Sequence, residues 1–249
     1  MPREMYVSGE YLQNNPMWHA EESPWKAKQI LKIMERNNIA PKTICEVGCG
    51  AGEILARLQH EMPVECEFLG YEISPQAFEL SRTRANEKLN FKLADILEEK
   101  GVFYDLILII DLIEHLEDYY TFLREIKSKS QYKILHIPLE ISAQFILRNT
   151  PFLESRKSAG HLHYYTKDIA LHILRDVGYE VLDYFYTSGS TEIPSKSIKR
   201  NIVKLPRKVL FAIDRDLAVR ILGGYSLMVL ARWGSETIQV HVTTGRLPR

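Results

Sequence analysis

The chain has 249 residues, 32 acidic and 32 basic side chains, and 45% hydrophobic residues. This length suits one domain with a sizeable core, or one domain with an insertion. Zero net charge argues against a dedicated nucleic-acid binder, so no DNA partner is expected. There is no signal-peptide pattern after Met1 and no apolar run long enough to span a bilayer, so we expect a cytoplasmic protein. Cys45, Cys49 and Cys66 lack zinc spacing and are expected to be reduced thiols.

Residues 1–42 are expected to form an N-terminal arm and a cap helix. The arm, to about Ser23, is polar and aromatic without a clear period. Ser23-Pro24 is a typical helix start, with serine as the N-cap and proline at the first helical position. Apolar residues then recur at helical spacing until Asn37.

Strand-like and helix-like segments alternate from Thr43 to Pro138. The predicted strands cover residues 43–47, 67–73, 90–93, 104–110 and 132–137, and the predicted helices cover residues 53–60, 75–87 and 112–128. Short connections between such segments predict a parallel sheet with helices on both faces. The continuous apolar run at 106–110 is typical of a strand that is buried on both faces.

After Pro138 the alternation stops. Residues 139–166 form a long connection, and a helix is predicted from Thr166 to Val177. Two further strands are predicted at 179–187 and 225–233. The segment 188–224 between them is longer than a hairpin loop needs and is expected to be an insertion. The main domain thus covers 43–233, and the polar tail 234–249 is expected to be loose.

The end of the first predicted strand carries the most informative motif. Glu46 precedes a turn with glycines at alternate positions, Gly48, Gly50 and Gly52, with Cys49 between the first two. Because glycine has no side chain, a ligand can lie directly on the backbone of such a turn. The helix that follows presents free N–H groups to the same ligand.

The carboxyl ends of parallel strands form the usual ligand site of an open α/β sheet. The first four predicted strands each end in a carboxylate, and these are Glu46, Glu72, Asp95 and Asp111. Glu72 can accept hydrogen bonds from both ribose hydroxyls. Asp95 can accept from the adenine amine, with Ile73 and Ile96 flanking the base. With Glu46 and Asp111 near an ammonium group, this acidic cluster suits a cationic nucleoside better than a polyphosphate.

A dinucleotide oxidoreductase is the nearest alternative. Glu72 lies at the spacing expected for its ribose-binding acid. However, Glu53 occupies the position where the third small residue of that glycine motif belongs, and Asp95 has no role in it. These features disfavour the oxidoreductase.

Taken together, the segments resemble the class I S-adenosylmethionine-dependent methyltransferases over roughly 43–138. The motifs are EVGCGAG from Glu46, GYEIS from Gly70, Ala94-Asp95, DLIEHL from Asp111 and, further on, GHLHYYT from Gly160. DLIEHL is similar to the small-molecule group that includes the ubiquinone-pathway O-methyltransferases. The resemblance implies a Rossmann-like seven-stranded sheet whose last strand is antiparallel.

The same resemblance implies a function. The cofactor would be S-adenosyl-L-methionine, with Gly48, Cys49, Gly50 and Gly52 against its methionine part. The acceptor would be a small molecule or a lipid- or glycan-linked molecule, and O-methylation is favoured. The alternatives are a non-catalytic, methyltransferase-like binding module and an RNA methyltransferase, whose binding would fall steeply with salt.

Three histidines are candidate catalytic residues. His115, His161 and His163 could take a proton from a hydroxyl acceptor. His161 and His163 would share one face of a short strand. His136 lies inside the fifth strand and is expected to be a satisfied interior residue.

The Asp111–His115 segment has other interpretations. Asp111 could be only the N-cap of the fourth helix, with Glu114 completing a capping box. His115 could be structural, or it could bind a divalent metal with Asp111 and Glu114, but no metal is predicted.

Two segments outside the motifs complete the expectations. Trp18-His19 and Trp25-Lys26 could form a lid over the cofactor, with His19 as an outside catalytic candidate, or simply pack against the domain. The insertion carries basic residues without an intervening acid, namely Lys196, Lys199, Arg200, Lys204, Arg207 and Lys208. Residues 196–222 could meet a membrane surface, form a homodimer contact, or pack as a solvated helix.

Overall fold

A computed structural model describes Met5, Gly9, Tyr11 and residues 20–193 and 198–233. Its strands are β1 (Thr43–Val47), β2 (Glu67–Glu72), β3 (Leu89–Leu93), β4 (Tyr104–Ile110), β5 (Ser130–Leu139), β6 (Tyr179–Thr187) and β7 (Tyr225–Trp233). They form one seven-stranded sheet in the order β3-β2-β1-β4-β5-β7-β6.

The sheet has the predicted mixed topology. β1 is parallel to β2 and β4, and β3 and β5 extend this parallel arrangement outwards. β7 is antiparallel to both of its neighbours, β5 and β6. The strand order reverses between β1 and β4, which is where ligands bind in folds of this kind. The predicted fold class is confirmed.

The helices cover both faces of the sheet. In chain order they are α1 (Ser23–Arg36), α2 (Glu53–Glu61), α3 (Pro75–Ser81), α4 (Tyr119–Ile126), α5 (Ala143–Arg148), α6 (Thr150–Ser158), α7 (Lys167–Asp176), α8 (Gly189–Glu192), α9 (Ile198–Ile213) and α10 (Arg215–Leu222). α7 begins as predicted, because the Thr166 side chain accepts a hydrogen bond from the Ile169 N–H. At α1 the prediction is wrong in detail: a short 3-10 turn, Ala20–Glu22, places Glu22 at the N-cap and Ser23 inside the helix.

Successive residues of the central strands point to opposite faces and build two cores. Ile44, Leu106 and Leu108 pack with residues of α1 and α2. Cys45 and Ile107, one position along, pack with residues of α4, α7 and α10. This alternation explains why the strands read as continuous apolar runs.

The single helix predicted at 112–128 is wrong. A 3-10 turn, Ile113–His115, is followed by a break, and α4 starts later with Asp118 as its N-cap, whose carboxylate accepts from the Thr121 N–H at 2.9 Å. Asp111 has φ +48° and its side chain is engaged elsewhere, so the capping-box interpretation is also wrong. The helix predicted at 75–87 likewise ends early, at Ser81.

Two connections contain helices whose bounds the sequence analysis did not predict. The link after β5 holds α5 and α6, and the segment between β6 and β7 holds α8, α9 and α10. The tail 234–249 lies outside the described residues. Within the described part of the chain, each helix is too short or too polar to cross a bilayer.

Candidate active site

A cavity of about 680 Å³ opens at the carboxyl ends of the central strands. Most of the predicted site residues line it, namely Glu46, Gly48, Cys49, Gly50, Glu72, Ile73, Asp95, Asp111, His115 and His161. Gly52, Ile96 and His163 do not line it. The residues predicted from the strand ends therefore share one cavity.

The glycine turn has the backbone that its sequence suggests. Gly48, Gly50 and Gly52 have φ values of +68°, +54° and +75°, which favour glycine. The N–H groups of Gly48 and Cys49 both donate to the Tyr71 carbonyl oxygen, at 2.8 and 3.1 Å. A Cβ on Gly52 would lie 2.5 Å from the Phe91 ring, so this glycine permits close packing under the turn rather than contact with a ligand.

Glu72 is fixed at the edge of the turn by three backbone donors. Its Oε2 accepts from the Gly50 N–H, and its Oε1 accepts from the N–H groups of Ile73 and Ser74, each at 2.8 Å. Burial raises the pKa of Glu72 despite these three hydrogen bonds, which lower it. A carboxylate has about four acceptor sites, so beside its three backbone donors Glu72 can still accept from one ribose hydroxyl.

Glu46 lies beneath the turn, and its Oε2 has no hydrogen-bond partner among the described residues. The side chain is buried. Burial raises the pKa of Glu46 from 4.5 to about 8, with Lys26 lowering it and Glu72 raising it further. A buried carboxylate without a partner is costly unless a cation or donor satisfies it. Glu46 therefore fits a cationic ligand.

Asp111 is held between two residues from distant parts of the chain. Its Oδ2 lies 2.8 Å from the Lys26 Nζ, and its Oδ1 lies 2.6 Å from the His136 Nδ1. Burial alone would raise the pKa of Asp111, but the interactions with His136 and Lys26 hold it well below its usual range. Burial would lower the pKa of Lys26, whereas Asp111 raises it, so Lys26 remains an ammonium. His136 Nε2 contacts Thr187 Oγ1 at 2.8 Å, so His136 is a satisfied interior residue that also lines the cavity.

A second polar cluster follows the 3-10 turn. His161 Nδ1 lies 2.7 Å from the Glu140 Oε2, and the His161 and His115 rings meet edge to face at 4.8 Å. Glu114 is fully buried beside them, and both of its carboxylate oxygens lack a hydrogen-bond partner among the described residues. Burial, with Asp111 second, raises the pKa of Glu114 well above its usual range.

In the structure, the residues that could bind a metal differ from those expected from the sequence. Ligand atoms of Glu114, His115 and His161 lie within 4.8 Å of one another. Asp111 is not in this set, and its two oxygens contact Lys26 and His136.

The remaining predicted residues have structural contacts. His163 donates from Nε2 to the Leu116 carbonyl oxygen at 2.9 Å and packs against Tyr119, away from the cavity lining. No strand forms at His161 and His163, so the shared face predicted for them is wrong. Ile96 is 1% exposed and packs in the core rather than against the cavity.

Asp95 caps a short turn and also lies at the cavity. Its carboxylate accepts from the Leu97 N–H at 2.9 Å and caps a short 3-10 turn, and the residue also lines the cavity. The adenine contact of Asp95 remains a prediction.

Residues from the N-terminal segment close one side of the cavity. Tyr11 and Trp25 line it, and the Trp25 Nε1 donates to the Glu192 Oε2 at 2.8 Å. Glu192 also accepts from Gln29 at 3.0 Å, so α1 is joined to the start of the insertion. Trp18 and His19 lie outside the described residues.

Sequence reasoning missed two functional candidates. The sequence pattern indicates Lys26 only as part of a possible lid. No local sequence pattern indicates its pairing with Asp111. Glu140 had a usable signal, because it directly follows β5 and is a fifth strand-end carboxylate. The strand was predicted to end at Ile137, which hid this position.

Comparisons with known proteins agree with this geometry. A family model described as a methyltransferase domain matches residues 17–184, more than half of the chain. Norajmaline N-methyltransferase from Rauvolfia serpentina is 28% identical over 107 residues, which are 40% of this chain and 36% of that protein. The chain spans about a third of the length of the curated relatives it matches, 36% and 31%.

Solved structures show the same fold at low identity. Magnesium protoporphyrin IX methyltransferase from Synechocystis PCC 6803, with S-adenosylhomocysteine bound, has a TM-score of 0.55 and 16% identity, covering 84% of this chain and 81% of that one. N-methyltransferase NodS from Bradyrhizobium japonicum WM9, in complex with S-adenosylhomocysteine, has a TM-score of 0.53 and 14% identity, covering 84% and 86%. The predicted family is confirmed: the chain belongs to the methyltransferase domain family.

Proposed function

We propose that this chain methylates a hydroxyl group of a small-molecule or lipid- or glycan-linked acceptor. The observation that carries the proposal is the His161–Glu140 pair, 2.7 Å apart in the wall of the cavity. A hydroxyl must lose its proton as it is methylated, and a histidine oriented by a carboxylate is suited to accept it.

The described residues give each part of the cofactor a complementary group. Glu72 would accept from a ribose hydroxyl, and Asp95 with Ile73 would contact the adenine. Glu46 would bind the ammonium group, and Lys26 would bind the carboxylate. When bound, the cofactor supplies an electrophilic methyl group.

The chain's own residues prepare the acceptor. Glu140 fixes His161 Nδ1 as the protonated nitrogen, which leaves Nε2 as the basic atom. Leu112 and Phe145, together with Leu116, give this part of the cavity apolar walls. Such walls exclude water and align the acceptor with the methyl group.

A second candidate is methylation of an amine. Among the described residues that line the cavity, Lys26 is the only lysine or arginine, whereas carboxylates are numerous. This balance favours a cationic acceptor over an anionic one. The relatives matched from Rauvolfia serpentina are named as N-methyltransferases. His161 would then take the proton from the acceptor's ammonium group.

Incubation with methyl-labelled cofactor and fractionated cell extract tests the proposal. We expect a labelled product that resists mild base and is not retained by a cation exchanger, as expected for an ether. A retained product would indicate the amine instead, and a base-labile product would indicate a methyl ester. Transfer to any component excludes the binding-module alternative.

The raised pKa of Glu46 leads to a prediction about how stability and ligand binding depend on pH. Its folded pKa, about 8, lies above the ordinary value of 4.5, so the ligand-free protein loses stability as the pH rises through this window. A cationic ligand needs the carboxylate form, so S-adenosylhomocysteine should bind more tightly as the pH rises from 6 towards 8. Glu46→Gln should weaken binding about tenfold and flatten this pH dependence in calorimetry.

The matched control is Glu117→Gln, which changes an exposed carboxylate at the cavity. It should keep both the affinity and the slope. A Glu46→Gln protein with the wild-type pH dependence would disprove the assigned ammonium contact.

A further inference from the structure

Three helices beside the cavity expose large apolar side chains. In α9, Leu205, Val209 and Ile213 recur at four-residue spacing and are more than half exposed, with Ile213 at 77%. In α5, Ile146 and Leu147 are exposed, the latter at 86%. α6 adds Leu153. We call these six residues the apolar surface; isolated exposed leucines are ordinary, but six large apolar side chains exposed on three neighbouring helices are typical of an interaction site.

One arginine joins two of these helices, α9 and α5, to the end of α10, and α6 meets α5 through the Phe145 and Phe152 rings, whose centroids are 5.9 Å apart. The Arg207 guanidinium donates to the Gln144 Oε1 in α5 at 3.0 Å and to the carbonyl oxygens of Leu222 and Gly223 at 2.7 and 2.9 Å. A Cβ on Gly223 would lie 2.9 Å from the Phe145 ring, so the end of α10 packs tightly on α5. The apolar surface therefore belongs to a connected unit rather than to separate loops.

The same unit forms part of the cavity wall. Phe145 of α5, Ala159 after α6 and Tyr225 at the start of β7 all line the cavity. The apolar surface therefore belongs to helices that adjoin the cavity wall, and α5 itself contributes Phe145 to that wall.

The charges on these helices distinguish between occupants. α9 contains five lysine and arginine residues and no acid, and Arg148, Arg156 and Lys157 add positive charge on α5 and α6 against the single acid Glu154. A twofold contact with a second copy would bring like charges together. An anionic membrane surface complements both the cations and the apolar side chains.

We propose that the apolar surface docks on an anionic lipid bilayer and that the acceptor is an amphipathic lipid whose reactive end enters the cavity. This inference rests on the proposed function for its acceptor, but membrane docking is separately measurable. Cations would contact the headgroups while Leu205, Val209 and Leu147 enter the boundary of the acyl chains.

Co-sedimentation with vesicles tests the docking. The wild-type chain should bind vesicles of phosphatidylcholine mixed with phosphatidylglycerol, more weakly at high salt, and should bind pure phosphatidylcholine poorly. Leu205→Glu/Val209→Glu should weaken vesicle binding at least about tenfold, since each side chain contributes through its buried area.

The matched control carries the same added charge on the opposite edge of the sheet. Val64 and Phe103 are exposed and precede β2 and β4, so Val64→Glu/Phe103→Glu should bind vesicles like the wild type. Unchanged binding by the Leu205→Glu/Val209→Glu protein, or no wild-type binding to anionic vesicles at low salt, overturns the proposal. If light scattering shows that the wild type is a dimer and that only the Leu205→Glu/Val209→Glu protein is a monomer, the apolar surface is instead a contact with a second copy. Calorimetry with S-adenosylhomocysteine should be unaffected throughout, which separates this outcome from failure of the cofactor site.

Discussion

The His161→Ala substitution is expected to lower the rate of methyl transfer about 10²- to 10⁴-fold, the usual contribution of a positioned general base. His161 lines the cavity, and Glu140 holds its Nδ1 at 2.7 Å. Without the imidazole, a hydroxyl acceptor has no oriented base on this wall. The rate is measured with labelled cofactor and the extract fraction that contains the acceptor.

Glu140→Gln should reproduce part of this loss, about tenfold or more, because Glu140 acts by orienting His161. His172→Ala changes an exposed histidine in α7 and is the matched control. The affinity for S-adenosylhomocysteine should stay unchanged in all three proteins. An unaltered rate in the His161→Ala protein, or a loss explained by weaker cofactor binding, would contradict the assignment.

The same assay distinguishes the contributions of the three histidines that were predicted to be catalytic. His163 is bonded to the Leu116 carbonyl oxygen outside the cavity lining, so its removal should affect stability more than rate. His115 contacts the His161 ring, so its removal should lower the rate by disturbing the position of His161. Activity that survives a chelator would agree with the prediction that no metal is bound.

The sheet could be predicted because its signals are local. β1, β4, β6 and β7 have the predicted bounds, since each is an apolar or alternating run ended by glycine or polar residues. The glycine turn and the strand-end carboxylates follow from the same local patterns. These features place the cavity without any knowledge of distant contacts.

The acceptor side could not be predicted because it depends on distant contacts. The Glu114 carbonyl oxygen accepts from the N–H groups of Leu162 and His163, and this contact accompanies a 3-10 turn where the local pattern favours a helix. Asp111 is fixed by Lys26 and His136, which are far away in the chain. Propensity gives no signal for such pairings, since tertiary contacts override it.

The Glu72→Ala substitution is expected to weaken S-adenosylhomocysteine binding about 10- to 100-fold. A hydrogen bond from a ribose hydroxyl to a carboxylate contributes about 1.5–3 kcal/mol, and every 1.4 kcal/mol changes affinity about tenfold. Calorimetry measures the affinity. Glu79→Ala is the control, because Glu79 is exposed on the neighbouring helix and contacts only Arg82 among its described hydrogen-bond partners.

A weaker affinity alone would not prove the ribose contact, because Glu72 also accepts from three backbone N–H groups that shape the turn. Removing it leaves these donors without their acceptor and should lower the thermal midpoint of the ligand-free protein as well. The two effects separate when the ligand is changed together with the protein. A ligand lacking the ribose 2′-hydroxyl should bind the wild type more weakly than S-adenosylhomocysteine does. The Glu72→Ala protein should bind the two ligands with equal affinity. If removal of the hydroxyl costs both proteins equally, Glu72 supports the turn and another group holds the ribose.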